Sequence, residues 1–166
     1  MTAMEAFHKR VPDIGMSEYR SFTALEIEGL PSAEYGFIEF YCNDSSCDCR
    51  RVQLVVIEPE VTKRFLATIS YGWESREFYR KHFTFISEED SPCEPILEPF
   101  GDQSEYSEIL LDCCKRFLLS DEAYIERLKK HYGLFKKALP AKRKPAARSK
   151  AATKRQKGSK RKRRTR

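Results

Sequence analysis

Four short segments with strand-like patterning follow one another over residues 22–73. They are FTALEIE at 22–28, GFIEFYC at 36–42, a run in which Val52, Leu54 and Val56 stand two apart, and RFLATISYGW at 64–73. The connections between them are too short for the crossover of roughly a dozen residues that parallel neighbours need, which favours an antiparallel sheet. The second half changes period. Residues 74–82 read as a short helix, and a loop rich in proline and acid then runs to about residue 102. Two longer helices follow, the first with an apolar stripe of Tyr106, Ile109, Leu110, Cys113 and Phe117 and Ser104 or Asp102 as its cap. The second has Ser120 as cap, Asp121 and Glu122 in its first turn, and Tyr124, Leu128, His131 and Phe135 on one face until Pro140 ends it. The expected class is α+β: an antiparallel four-stranded sheet with two to three packed helices.

Charge divides the chain where the pattern stops. Residues 141–166 hold 14 basic side chains, no acidic one and no aliphatic larger than alanine, whereas residues 1–140 hold 17 basic and 25 acidic, a net charge of −8. The overall value of +6 therefore describes neither part. A segment without apolar bulk cannot offset the entropy of ordering itself, so the tail is expected to be disordered. Residues 1–20 show little periodicity and read as a poorly ordered lead-in, leaving 21–140 as the globular domain. No apolar run approaches a membrane span, and the first residues lack a signal-peptide core, so a reducing, cytoplasmic setting is expected. Cysteines there are metal ligands or thiols more often than disulfides.

The sequence YCNDSSCDCRRV places cysteines at 42, 47 and 49. With Cys42 ending one strand and Cys47 opening the next across a four-residue NDSS loop, both side chains lie on one face, and Cys49, two further on, joins them. Three convergent thiols are most of a tetrahedral site, and Zn²⁺ is the common intracellular occupant. His131 is the preferred fourth ligand because it interrupts an apolar stripe. Cys93, Cys113, Cys114, His82 and Asp48 are the other candidates, and a core histidine hydrogen-bonded to backbone is the bland alternative for His131. The triplet is also open to packed thiols or to redox and nucleophilic use, with Arg50 and Arg51 as a cationic setting. No Gly-rich phosphate loop, GxSxG elbow, HExxH helix or EF-hand loop occurs, which leaves the enzyme alternative without a recognised signature.

EYGFIEFYCNDSSCDCRRV, ATISYGWES, LEPFGDQSEYSEILL and DEAYIERLKKHYGLFK resemble successive blocks of an uncharacterised family of small, mostly bacterial proteins. That family has a C-x4-C-x-C strand motif, a YGW or FGW block, an LDPxNxQS-like helix start and a terminal RLxxHY helix. The resemblance spans about residues 34–136 and implies a shared fold and a metal site at Cys42, Cys47 and Cys49, with His131 in the HY block. It implies no activity. PFGDQS departs from the pattern, and Cys93, Cys113, Cys114 and the tail are particular to this chain.

The tail resembles the Lys/Ala/Pro tails of linker histones. Lys142, Arg143, Lys144, Lys154, Arg155, Lys160, Arg161, Lys162, Arg163 and Arg164 are candidate phosphate contacts, since each neutralised phosphate releases a condensed cation. With no aromatic residue and no rigid element, the expected nucleic-acid binding is non-specific in sequence. Fully extended, the tail reaches about 85 Å. Three alternatives stand beside this: a localisation signal on an interaction module, nuclear if the source is eukaryotic; docking on the chain's own acidic stretch; and a solubility tail without a partner. Nine carboxylates and no lysine or arginine lie between Lys81 and Lys115, and a solvated surface is the simplest reading of that stretch.

Overall fold

The computed structural model describes residues 3–59, 65–83 and 92–140. Six strands among them form one sheet, antiparallel at every pairing: β1 (Met4–Ala6), β2 (Arg20–Thr23), β3 (Glu34–Cys42), β4 (Arg51–Ile57), β5 (Phe65–Gly72) and β6 (Ile96–Leu97). The α+β class holds, with a wider sheet than the four strands expected. The order is β1-β3-β4-β5-β6, with β2 also on β3. β1 and β2 share one edge of β3, at Phe40–Cys42 and Glu34–Phe37, so Ile38 and Glu39 have no strand partner on that edge. Two- and three-residue strands are too short to show an alternation, which is why β1 and β6 left no mark in the sequence.

The central strands alternate as a half-buried sheet should. Tyr35, Phe37, Glu39 and Tyr41 of β3 and Val52, Leu54 and Val56 of β4 are buried, and α5 (Glu122–Ala138) covers them with Tyr124, Leu128, His131 and Phe135. The Tyr41 and Phe135 rings meet at 5.6 Å, and the Tyr41 hydroxyl lies 3.1 Å from Leu128 O. Asp121 caps α5 by accepting from Ala123 N, while Ser120 instead donates to Arg116 O. The preceding helix, α4 (Ser107–Cys113), runs into a π-helical turn over Cys114–Leu118. The extra residue in that turn rotates the stripe: Leu118 is buried and Phe117 is 48% exposed, opposite to the regular 3.6-residue expectation.

The expectation of a poorly ordered lead-in over 1–20 is corrected for residues 3–20. β1 pairs with β3, and α1 (Phe7–Arg10) and α2 (Pro12–Ser17) follow. Phe7 is 2% exposed and stacks on His131 at 4.3 Å. Tertiary burial of one ring, rather than periodicity, orders this segment. At the opposite edge the Gln103 side-chain amide bonds Thr68 N and O, and Ser104 N donates to Leu66 O. These groups continue the ladder beyond β6 and blunt the edge. Residues 141–166 and the 84–91 part of the acidic stretch, with Glu88, Glu89 and Asp90, lie outside the described residues.

Candidate metal centre

Cys42, Cys47 and Cys49 form a group that could hold a metal ion: their sulfur atoms all lie within 4.8 Å of one another. The route differs from the tight hairpin expected. Cys42 does end β3, but β4 starts only at Arg51, so Cys47 and Cys49 sit in an eight-residue connection, 43–50. That connection turns on Asp44, whose Oδ1 accepts from Ser46 N and whose carbonyl accepts from Cys47 N. Arg50 takes φ 46°, a left-handed conformation uncommon outside glycine, and this bend carries the chain from Cys49 into β4.

Three side chains brace the connection. The Lys136 ammonium donates to Cys42 O at 2.9 Å and Asp44 O at 2.8 Å, tying the two flanks together. The Tyr132 hydroxyl lies 3.4 Å from Arg50 N and 3.3 Å from Asp48 Oδ1. The fully buried Tyr79, on α3 (Arg76–His82), donates to Arg50 O at 2.7 Å. That last contact requires Gly72, because a Cβ there would collide with the Tyr79 hydroxyl. The YGW and HY blocks therefore act together: Trp73 packs edge-on against Tyr132 at 5.4 Å. Lys136, four residues after Tyr132, lies over its ring at 5.3 Å, the helical spacing that could have marked it in the sequence.

Burial pushes the Cys49 thiol up to about 12, with Cys47 and Cys42 adding to the shift and Lys136 opposing it. Burial, then Cys42, also raises Cys47. Metal-free thiols in this state are neutral and poor nucleophiles, and a cation at their centre reverses the balance by stabilising thiolate. Arg50 is committed elsewhere, to Asp48 at 2.9 Å and Glu74 at 3.1 Å, with its guanidinium 4.8 Å from the Phe78 ring centre.

His131 does not join the cysteines. It is 1% exposed, with Nδ1 2.7 Å from Glu39 Oε2 and Nε2 3.0 Å from Glu18 Oε2, so both ring nitrogens are engaged by carboxylates. It lies on the buried stripe that the spacing predicts, and its partners are carboxylates 92 and 113 residues away rather than backbone or thiols. The remaining fourth-ligand candidates are also elsewhere or occupied. Cys113 and Cys114 are packed in the core, and Cys93 is outside the group. His82 Nδ1 lies 3.1 Å from Phe78 O, and the Asp48 carboxylate takes Arg50 Nε and the Tyr132 hydroxyl. No further histidine, cysteine, aspartate or glutamate among the described residues completes the group at that distance. The candidate phosphate contacts of the tail, from Lys142 to Arg164, lie outside the described residues. No described helix is long and apolar enough to cross a membrane. No protein-family model, curated protein or solved structure matches this chain.

Proposed function

We propose that this chain is a small cytoplasmic zinc-binding domain, of the uncharacterised family it resembles, whose basic tail holds it on nucleic acid without sequence preference. The convergence of Cys42, Cys47 and Cys49 within 4.8 Å is the observation that carries the metal half. Thiolates suit a borderline-soft ion with no geometric demand beyond a tetrahedron. Zn²⁺ with three thiolates has a net charge of −1, and the Lys136 ammonium, already bonded to Cys42 O, offsets it. Bound there, the ion ties β3 to the 43–50 connection, a structural role. Water or a group from outside the described residues takes the fourth position.

Metal analysis of protein purified without added zinc, followed by thiol counting, tests this half. One equivalent of zinc with Cys42, Cys47 and Cys49 protected is the expected result; no metal and three freely labelled thiols would overturn it. The three-ligand count also supports a second reading, a catalytic zinc, because catalytic sites keep one position for water or substrate. Cobalt substitution separates the two: a visible spectrum that shifts on adding a small thiol shows an exchangeable fourth position, and an unchanged spectrum shows a closed site.

The tail half rests on 14 cationic side chains unopposed by any acid over 26 residues. In a salt series with duplex DNA, full-length protein should lose affinity steeply, with a log–log slope of about −0.9 per phosphate neutralised. The same protein with every lysine and arginine of 141–166 changed to glutamine should show almost no slope. Equal affinities for the two proteins would remove the tethering role.

A further inference from the structure

The gap that β1 and β2 leave along the edge of β3 opens into a cavity of about 320 Å³, within the size range of small-molecule sites. Phe7, Met16, Tyr19, Phe37, Ile38 and Ile57 supply its apolar wall. Its polar wall is Glu18, His131 and Glu39, the last only 9% exposed, with His8 and the Tyr19 hydroxyl as the other ionisable neighbours. Gly36 helps shape the space, because a Cβ there would displace the Tyr19 ring.

The proton count of this polar wall decides what it can hold. Two hydrogen bonds join the imidazole to two carboxylates, and each needs one proton. Either the imidazole is doubly protonated between two carboxylates, or it is neutral and one carboxyl is protonated. Both arrangements leave the three groups with a net charge of −1. Each carboxylate uses Oε2 for His131; Glu39 Oε2 also accepts from Tyr41, and Arg127 Nε stands 3.9 Å from Glu18 Oε2, outside the cavity lining. The Oε1 atoms of Glu18 and Glu39 receive no hydrogen bond from a described residue. Arg127, ion-paired with Glu18 from outside the lining, offsets that charge, so what the lining presents is unused carboxylate acceptors in an aromatic-lined space, and aromatic faces attract cations as well.

We infer that this cavity binds an organic cation, a primary ammonium on an apolar body, with its nitrogen at the Glu18 and Glu39 oxygens and its hydrocarbon against Phe7, Phe37 and Ile38. The inference is independent of metal at the cysteines and of the tail. An isosteric series tests it: hexylammonium, hexan-1-ol and hexanoate, titrated at neutral pH into the full-length protein and followed by amide chemical shifts. Hexylammonium should give saturable shifts at Phe7, Ile38 and Glu39 with at least a tenfold lower Kd than hexanol, and hexanoate should give none.

Glu39→Gln, which keeps acceptors for His131 and Tyr41 but removes the charge, should weaken hexylammonium at least tenfold and leave hexanol unchanged. Glu18→Gln, at a partly exposed position, makes the same test if the buried variant does not fold. Ile38→Trp, filling the apolar wall, should abolish binding of both. Equal affinity for hexanol and hexylammonium would overturn the inference in favour of a cavity indifferent to charge. Shifts confined to residues away from the cavity, or no saturable shift with any of the three, would overturn it as well.

Discussion

Replacing His131 by leucine tests whether the Glu18–His131–Glu39 chain holds the N-terminal segment and α5 on the sheet. The imidazole is 1% exposed, and its shorter bond, 2.7 Å, goes to a carboxylate that is itself 9% exposed. Loss of that charge-assisted bond costs about 1.5–3 kcal/mol, and leaving Glu39 with only the Tyr41 hydroxyl adds about 1–3 kcal/mol of uncompensated desolvation. The bond to Glu18 adds less than about 1 kcal/mol, because that side chain is 33% exposed and solvent replaces its partner. Leucine returns roughly 1 kcal/mol by apolar burial, so the net cost is about 3 kcal/mol. With a urea slope of about 2 kcal/mol/M, the midpoint should fall by about 1.5 M.

Trp73, the only tryptophan, reports by fluorescence, and far-UV circular dichroism should follow the same transition. The paired variant Glu39→Leu with His131→Leu removes the stranded carboxylate and should recover at least half of the loss, as replacement of buried ionic groups by apolar ones commonly does. A single-variant cost below about 1 kcal/mol would refute the reasoning, since that is the range of an exposed pair. So would a double variant less stable than the single.

Zinc binding should displace protons from Cys47 and Cys49, because burial raises both thiols in the metal-free protein. Affinity should then rise with pH by at least about tenfold per unit near neutrality, measured against a chelator of known pH dependence; a flat profile would contradict neutral thiols. Gly72→Ala should expel the Tyr79 hydroxyl from Arg50 O and lower zinc affinity at least tenfold while the sheet remains folded, which chelator competition and circular dichroism together read. Hydrogen bonding from Arg50 holds the Asp48 carboxyl below its ordinary value. A carboxylate of that kind contributes stability above its unfolded pKa and loses it as pH falls through the folded one. Asp48→Asn should therefore flatten the acid limb of the stability profile slightly, by well under 1 kcal/mol for so exposed a pair.

Much of the architecture was written locally. Alternation in 36–42 and 52–56, and the spacing of Tyr124, Leu128, His131 and Phe135, are periodic signals that survive folding because they reflect one buried face each. The departures arose where no local period exists. The π-helical turn at Cys114–Leu118 inserts a residue that exchanges Phe117 for Leu118, and β1 and β6 exist only through their pairing with β3 and β5.

The cysteine triplet was legible because its three members lie within eight residues, close enough for any short reversal of the chain to bring them together. Its supports were not: Tyr132, Lys136 and Tyr79 reach it from helices far along the sequence, and no spacing rule connects them to it. His131 shows the limit most clearly. A histidine on an apolar stripe must find hydrogen-bond partners, which the sequence alone establishes, but which partners it finds depends on what the fold brings opposite it. Here these are two carboxylates, one on β3 and one just after α2, rather than the thiols. Charge segregation was the sequence's own to determine, since composition needs no geometry. The cation-seeking cavity belongs wholly to the tertiary structure, because it exists only where two strands on one edge fail to meet.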